Sequence, residues 1–367
     1  MTARLIRWLV LALAVLAAGG ARAEVYLWEV TSLTNRVYLF GTVHAGKKEW
    51  YPLPAVIEDA FLASDVLVVE ADITDTAAMA KSAGTMNYAP PDALKRHVTA
   101  EDYERFLKLL PRYSIREPQV ERLKPFMAVS VLVFSDWARE GFRPEYGVDA
   151  YLIRKAKAEV KPVIEIGGIA AQLRLMDSLS VAENQALFKG TIDALEMGLT
   201  GEQVKGLVTA WQGGDAARLL AVAREYNERV AGAAQFEEKF VWARHDDMLA
   251  KIEGYLNDSK ERYFIAVGAL PLAGPRGLIE QLRKRGYVVK QRLAPGHARA
   301  GASSSTSCWC TARTWRSPCP AKASFPSSTA STTCRKGSGW WSAATRRERP
   351  TWPKPTASSP IARACAS

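Results

Sequence analysis

Histidine is scarce in this chain, four residues in 367, and the one with a defined local setting is His44. It closes Gly41-Thr42-Val43-His44, directly after the apolar run Val37-Tyr38-Leu39-Phe40. A glycine lets the backbone turn sharply as it leaves a strand, so this spacing places an imidazole in the loop beyond. In an open α/β sheet such loops lie outside the carboxyl ends of the strands, where ligands bind. An imidazole there could ligate a metal or serve as a general base near neutral pH, or it could merely pack within its own loop. A second group follows the continuous apolar run of residues 66–69, in Glu70-Ala71-Asp72. Glu70 could complete a metal shell or activate a water, with capping of a helix start as its structural alternative. Asp72 reads as a turn or cap residue. The chain has no His-Glu-x-x-His, no Gly-x-x-x-x-Gly-Lys-Ser/Thr, no strand-following Gly-x-Gly-x-x-Gly and no Gly-x-Ser-x-Gly, so other common chemistries have no visible footing.

The elements that must position these groups read as α/β. Residues 25–30 and 36–41 form two strands about a turn containing Asn35. Apolar residues at 53, 56, 57, 60 and 61 share one helical face, and the run 66–69 is a buried strand. Strand, helix and buried strand make a βαβ unit, which would bring His44 and Glu70 to one rim of the sheet if the two strands are neighbours. Residues 75–257 are mostly helical. Among them are a buried helix within 119–140, a helix at 148–158 followed by a strand at 161–166, and a capping box at Ser180-Val181-Ala182-Glu183. A second unit follows, with a strand at 262–267, the loop Gly268-Ala269-Leu270-Pro271, a helix between Pro275 and Gly286, and a strand at 287–292. The expected architecture is a central, mostly parallel sheet built from two strand-GxxH/GxxP-helix-strand units, with a large helical middle section. His97 and His245 read as solvated.

The two ends differ from this body. Residues 1–23 carry the pattern of a secretory signal peptide, with Arg4 and Arg7, the apolar run 8–18 and the small-x-small Ala21-Arg22-Ala23. An apolar run of that length falls short of the roughly 20 residues a membrane span needs. The pattern predicts a periplasmic or secreted protein without a stable span after cleavage. Residues 294–367 contain one branched aliphatic residue, Ile361, yet all five cysteines and five of the eleven tryptophans. Such a low-complexity basic segment cannot bury a core and reads as a disordered tail or as GC-rich coding DNA translated out of frame. The net charge of +11 divides into +3 from residues 1–23, −2 from residues 24–293 and +10 from the tail. The body is therefore close to neutral, and the high overall pI gives no ground for a nucleic-acid partner. The body also lacks cysteine, which excludes a disulfide framework or a thiolate metal site within it.

Residues 24–293 resemble the TraB/GumN family, whose animal members include the Tiki-type membrane-anchored proteases. The resemblance rests on an ordered series. It runs through Leu27-Trp28-Glu29-Val30, Gly41-Thr42-Val43-His44, Val68-Val69-Glu70-Ala71-Asp72, Gly147-Val148-Asp149 and Gln172-Leu173 with Asp177-Ser178-Leu179. It continues with Trp211 and Gly214-Asp215, Arg244 with Met248 and Lys251-Ile252-Glu253, and Val267-Gly268-Ala269 with Gly274-Pro275-Arg276-Gly277-Leu278. The resemblance implies a site built from two Gly-x-x-His motifs and acidic residues. In Tiki-type members it further implies metal-dependent peptide cleavage. On that basis His44 and Glu70 are the candidate catalytic and metal-ligating residues, and Asp149, Arg244 and Glu165 the candidate binding residues. Arg244 could hold a substrate anion, or pair with Asp149 or Glu70. A divalent cation so held would be oxygen-rich in its ligands, suiting Mn²⁺ better than Zn²⁺. The chain departs from the pattern twice, with Pro271 where the second motif has histidine and Gly167 where the family places a glutamate. Two readings result. One is a metal-dependent hydrolase of peptide bonds; the other is a non-catalytic module holding a peptide, glycan, haem or other small-molecule ligand in the same cleft.

Overall fold

Six short runs rich in β-branched and aromatic residues pair into a single sheet. They are β1 (Glu24–Thr31), β2 (Arg36–Thr42), β3 (Val66–Val69), β4 (Val163–Glu165), β5 (Tyr263–Gly268) and β6 (Val288–Leu293). The order across the sheet is β4-β3-β5-β2-β1-β6. β2 pairs in parallel with β5, β5 with β3, and β3 with β4, while β1 is antiparallel to both β2 and β6. Five strands thus point one way and β1 alone runs against them. This computed structural model describes residues 24–294. The leader pattern of residues 1–23 and all but the first residue of the basic tail lie outside the described residues.

One expectation about the sheet needs correction. β2 and β3 are not neighbours, because β5 lies between them and pairs with both. The chain reaches β5 only after the whole helical section. A strand remote in sequence has displaced the local pairing that the βαβ pattern suggested. All three strands still deliver their carboxyl ends to one edge of the sheet, so the shared rim survives with a third contributor.

The helices follow in chain order: α1 (Ala55–Leu62), α2 (Thr76–Ser82), α3 (Ala100–Leu109), α4 (Pro125–Arg139), α5 (Val148–Ala158), α6 (Gly168–Asp177) and α7 (Val181–Glu196). Then come α8 (Leu199–Gln212), α9 (Ala216–Arg229), α10 (Ala233–Phe240), α11 (His245–Asn257), α12 (Ala269–Leu272) and α13 (Leu278–Lys284). Ser180 accepts from the Glu183 backbone N–H while Glu183 reaches back to Ser180, so α7 opens on the expected capping box. α4 begins at Pro125, where a missing N–H costs nothing, and its apolar run is less buried than expected. Ala128, Val129 and Leu132 are buried, but Phe134 is 36% exposed, so one face alone packs.

Two large apolar clusters stand out among the described residues. The larger joins both faces of the sheet to α1, α5, α11, α12 and α13, with Leu39, Phe40, Leu67, Phe264 and Ile265 fully covered. The second lies within the helical section, where Leu94, Phe106 and Leu132 meet Phe188, Ile192 and Leu195. Among the described residues no helix is long and apolar enough to cross a membrane.

Candidate functional site

Gly41 is the residue that lets the site assemble, though not by turning the chain. It lies within β2, opposite Val267 of β5. A Cβ at this position would come 2.3 Å from Tyr26 Cδ1 and 3.1 Å from Ala269 Cα. The glycine therefore permits a close approach of three segments rather than a bend. Trp211 of α8 seals the same spot, its indole N–H donating to the Gly41 carbonyl at 2.6 Å. Thr42 is in register with Gly268, so the two family motifs leave the sheet side by side.

The loop after β2 is then zipped to the turn before α5. Val148 N–H donates to Val43 O at 2.9 Å, and Gly46 and Arg143 exchange backbone hydrogen bonds of 3.0 and 2.8 Å. Gly147 lies so close to this loop that a Cβ on it would stand 2.5 Å from the His44 carbonyl oxygen. This contact delivers Asp149, in the first turn of α5, to His44. His44 Nδ1 donates to Asp149 Oδ2 at 2.9 Å, and the Thr42 hydroxyl lies 2.6 Å from Oδ1 and donates to it. The Asp149 carboxylate, opposed by burial and helped by its hydrogen bond and by the charge of Glu70, pushes the His44 pKa up to about 9; the Arg244 charge works against it. Burial alone would raise the Asp149 carboxyl. The His44 charge, with the hydrogen bonds from His44 and Thr42, outweighs burial and holds it below the ordinary carboxylate range. His44 is thus an imidazolium at neutral pH, with its side chain 62% exposed while that of Asp149 is 10% exposed.

Glu70 continues from β3 into the same rim. Its Oε1 accepts from the Gly268 backbone N–H at 2.8 Å, and its Oε2 accepts from Arg244 Nη2 at 2.7 Å. Of the alternatives the sequence left open for Arg244, the structure places it on Glu70. A point one carbon out from Gly268 lies 3.4 Å from Glu70 Oε1, 3.6 Å from Pro271 Cδ and 3.8 Å from His44 Nε2. His44, Glu70 and Pro271 therefore converge on the end of β5. Pro271 sits buried in the first turn of α12, where no backbone N–H is needed.

Glu165 stands outside these pairs. Its Oε1 accepts from the Asp72 N–H at 2.5 Å, and Asp72 in turn accepts from Thr74 and pairs with Lys157 at 2.7 Å. Both acids organise the loops after β3 and β4. His97 is half-buried rather than solvated, stacked on Tyr88 and bonded to Asp92 at 2.9 Å. His245 is also not solvated. It is 6% exposed at the start of α11, donates from Nδ1 to Arg276 O at 2.9 Å, and lies edge-on to Trp242. Burial lowers its pKa and keeps it neutral, and its Nε2 has no partner among the described residues.

Two contributors escaped the sequence reading. Thr42 orients Asp149, and the Gly268 N–H orients Glu70; a backbone donor has no side-chain signature, but the threonine stood inside the motif. A groove of about 490 Å³ lies at the far end of β2, around residues 31–36, remote from this rim.

The donor set does not fit a divalent metal. His44 keeps only Nε2 as a potential ligand atom, and that nitrogen carries a proton in the imidazolium form, while both Glu70 oxygens are taken, one by a guanidinium where a cation would stand. Among the described residues no group of three His, Cys, Asp or Glu side chains comes together that could hold a metal. What the arrangement can do is offer N–H donors outward, with each carboxylate already paired to its cation.

The sequence model of the TraB/PrgY/gumN family matches residues 26–291. The chain is also similar to a protein named uncharacterized protein YbaP of Escherichia coli strain K12, 25% identical over 273 residues, which are 71% of this chain and 95% of that protein. The YbaP protein of Shigella flexneri is similar to the same extent. No solved structure matches.

Proposed function

The chain belongs to the TraB/PrgY/gumN family, and from that premise we propose that it is a non-catalytic binding module holding a peptide by its carboxylate. The observation that carries this reading is the polarity of the rim. The His44 imidazolium is exposed, whereas Asp149 is buried, Glu70 is only 12% exposed, and both are already paired. A ligand approaching this surface meets His44 Nε2–H and the remaining Arg244 N–H groups, which suit a carboxylate acceptor. Export to the periplasm or beyond belongs to the same proposal, supported by the leader pattern of residues 1–23.

Calorimetric titration of the full chain with acetyl-tetraalanine, as free acid and as amide, tests the reading. Binding of the acid should weaken roughly tenfold or more on amidation and on His44→Gln, as expected for losing a charge-assisted bond worth about 1.5–3 kcal/mol. Equal binding of acid and amide, or cleavage of the peptide, would overturn it.

The convergence of Pro271 with His44 and Glu70 favours one further arm, directed at the hydrolase reading. Pro271→His would add a second imidazole beside Glu70, and a Cβ at Gly167 would meet only Ala171 at 3.6 Å and the Glu70 carbonyl at 4.0 Å. If the double variant Pro271→His/Gly167→Glu cleaves peptides with Mn²⁺ and the natural chain does not, the site is a hydrolase centre that lacks two ligands. Cleavage by neither form leaves only the binding role.

A further inference from the structure

A second concentration of ligating side chains lies in the helical section, away from the sheet rim. A cavity of about 230 Å³ is lined by Met86, Met127, Met176 and His97, with Tyr88 and the Lys124–Asp177 pair beside them. Three of the chain's seven methionines and one of its four histidines thus face one small space. We propose that this cavity is a binding site for a soft monovalent metal ion, Cu(I), held by the three thioethers and the His97 imidazole.

The chemistry of the donors points to this ion. Thioether and imidazole are neutral, soft to borderline ligands that select Cu(I) over hard divalent cations. A hard ion would need free carboxylate oxygens, and the carboxylate at the cavity, Asp177, is held by Lys124 at 2.5 Å. His97 is oriented as metal-bound histidines are: Nε2–H donates to Asp92 at 2.9 Å, which leaves the lone pair on Nδ1. Its ring is fixed flat against Tyr88, with centroids 3.9 Å apart and 7° between planes. Packing explains part of the methionine content, since Met79, Met86 and Met176 lie against Ala71, Ile169 and Leu173. It does not explain why Met127, from α4 on another wall, and a carboxylate-oriented imidazole line the same space.

The test is competition for Cu(I) against bicinchoninate under anaerobic reducing conditions. It uses the full chain after its five cysteines (Cys308, Cys310, Cys319, Cys334 and Cys365) are alkylated, so that thiolates do not contribute. One equivalent should bind, with sulfur and nitrogen scatterers in the X-ray absorption spectrum. Asp92→Asn should weaken binding by roughly ten- to a hundredfold, as loss of an outer-shell partner does. The volume-conserving Met86→Leu/Met127→Leu/Met176→Leu variant should weaken it at least as much, while His44→Gln leaves it unchanged. No uptake, a spectrum without sulfur, or equal affinity in the methionine variant would overturn the assignment. If the triple variant fails to fold by circular dichroism, Met127→Leu alone decides by the same readout.

Discussion

At the residue scale, the His44–Asp149 pair makes a defined contribution to stability with a defined pH window. The His44 pKa rises from 6.5 to about 9 on folding, so the stabilisation is fully present below pH 6.5 and is lost as pH rises through 9. Asp149 is held below its ordinary value, so its share is present above about 3.8 and is lost as pH falls through its lower folded value. The melting temperature of the full chain should therefore exceed that of His44→Gln near pH 6, and the two should approach one another by pH 10. Thr42→Val removes the hydroxyl that steadies Asp149 and leaves a buried carboxylate oxygen short of a donor, at a cost of about 1–3 kcal/mol. It should also lower the His44 titration midpoint seen by imidazole NMR. A midpoint near 6.5 in the natural chain would contradict the pair. His44, Glu70, Asp149 and Arg244 were each legible as residue types in a motif series. Their pairing was not, because Arg244 had two acids within its possible reach and periodicity says nothing about which one a folded loop presents.

At the scale of elements, the site depends on two glycines that let backbones touch. Gly41 was legible as a special position for the wrong reason, since a strand-end glycine reads the same whether it bends the chain or admits Tyr26. Gly147 carries the sharper test. Its φ of −60° suits any residue, so Gly147→Ala costs nothing through conformation; the cost comes from a Cβ 2.5 Å from the His44 carbonyl oxygen. Relieving that contact must push the start of α5 away from the loop after β2. The expected outcome is a loss of about 1–3 kcal/mol in denaturant unfolding, as for other overpacked sites. With it the His44 midpoint should fall toward the free value, because Asp149 rides on α5. Loss of stability with an unchanged His44 midpoint would show that α5 does not position the dyad. Helix positions were otherwise well marked in the sequence, as the capping box of α7 and the bounds of α5 attest. The strand order was not. Hydrophobic runs identify β2, β3 and β5 as buried strands, but insertion of β5 between the other two is decided by packing across some 220 residues of chain.

At the scale of the whole molecule, charge and core are carried by different parts of the sequence. Among the described residues, every member of both large apolar clusters lies between Val25 and Leu282. The family match likewise ends at residue 291. Residues 24–294 carry a net charge of −2, and residues 295–367 carry +10 without a leucine or valine. An attraction of the full chain to polyanions would thus be a property of the tail, not of the domain that holds the site. Deleting residues 295–367 should abolish retention on heparin at neutral pH, and the salt-dependent affinity for DNA should vanish with it. The same deletion should leave the melting temperature within about 2 °C of the full chain, because every core side chain among the described residues is kept and a shift of that size corresponds to only about 1 kcal/mol in a domain this large. Carboxylate-peptide binding should also persist, since His44, Asp149, Glu70 and Arg244 all precede the cut. Retention on heparin after deletion would place a basic surface on the domain itself, and a large drop in melting temperature would mean that the core extends into the tail.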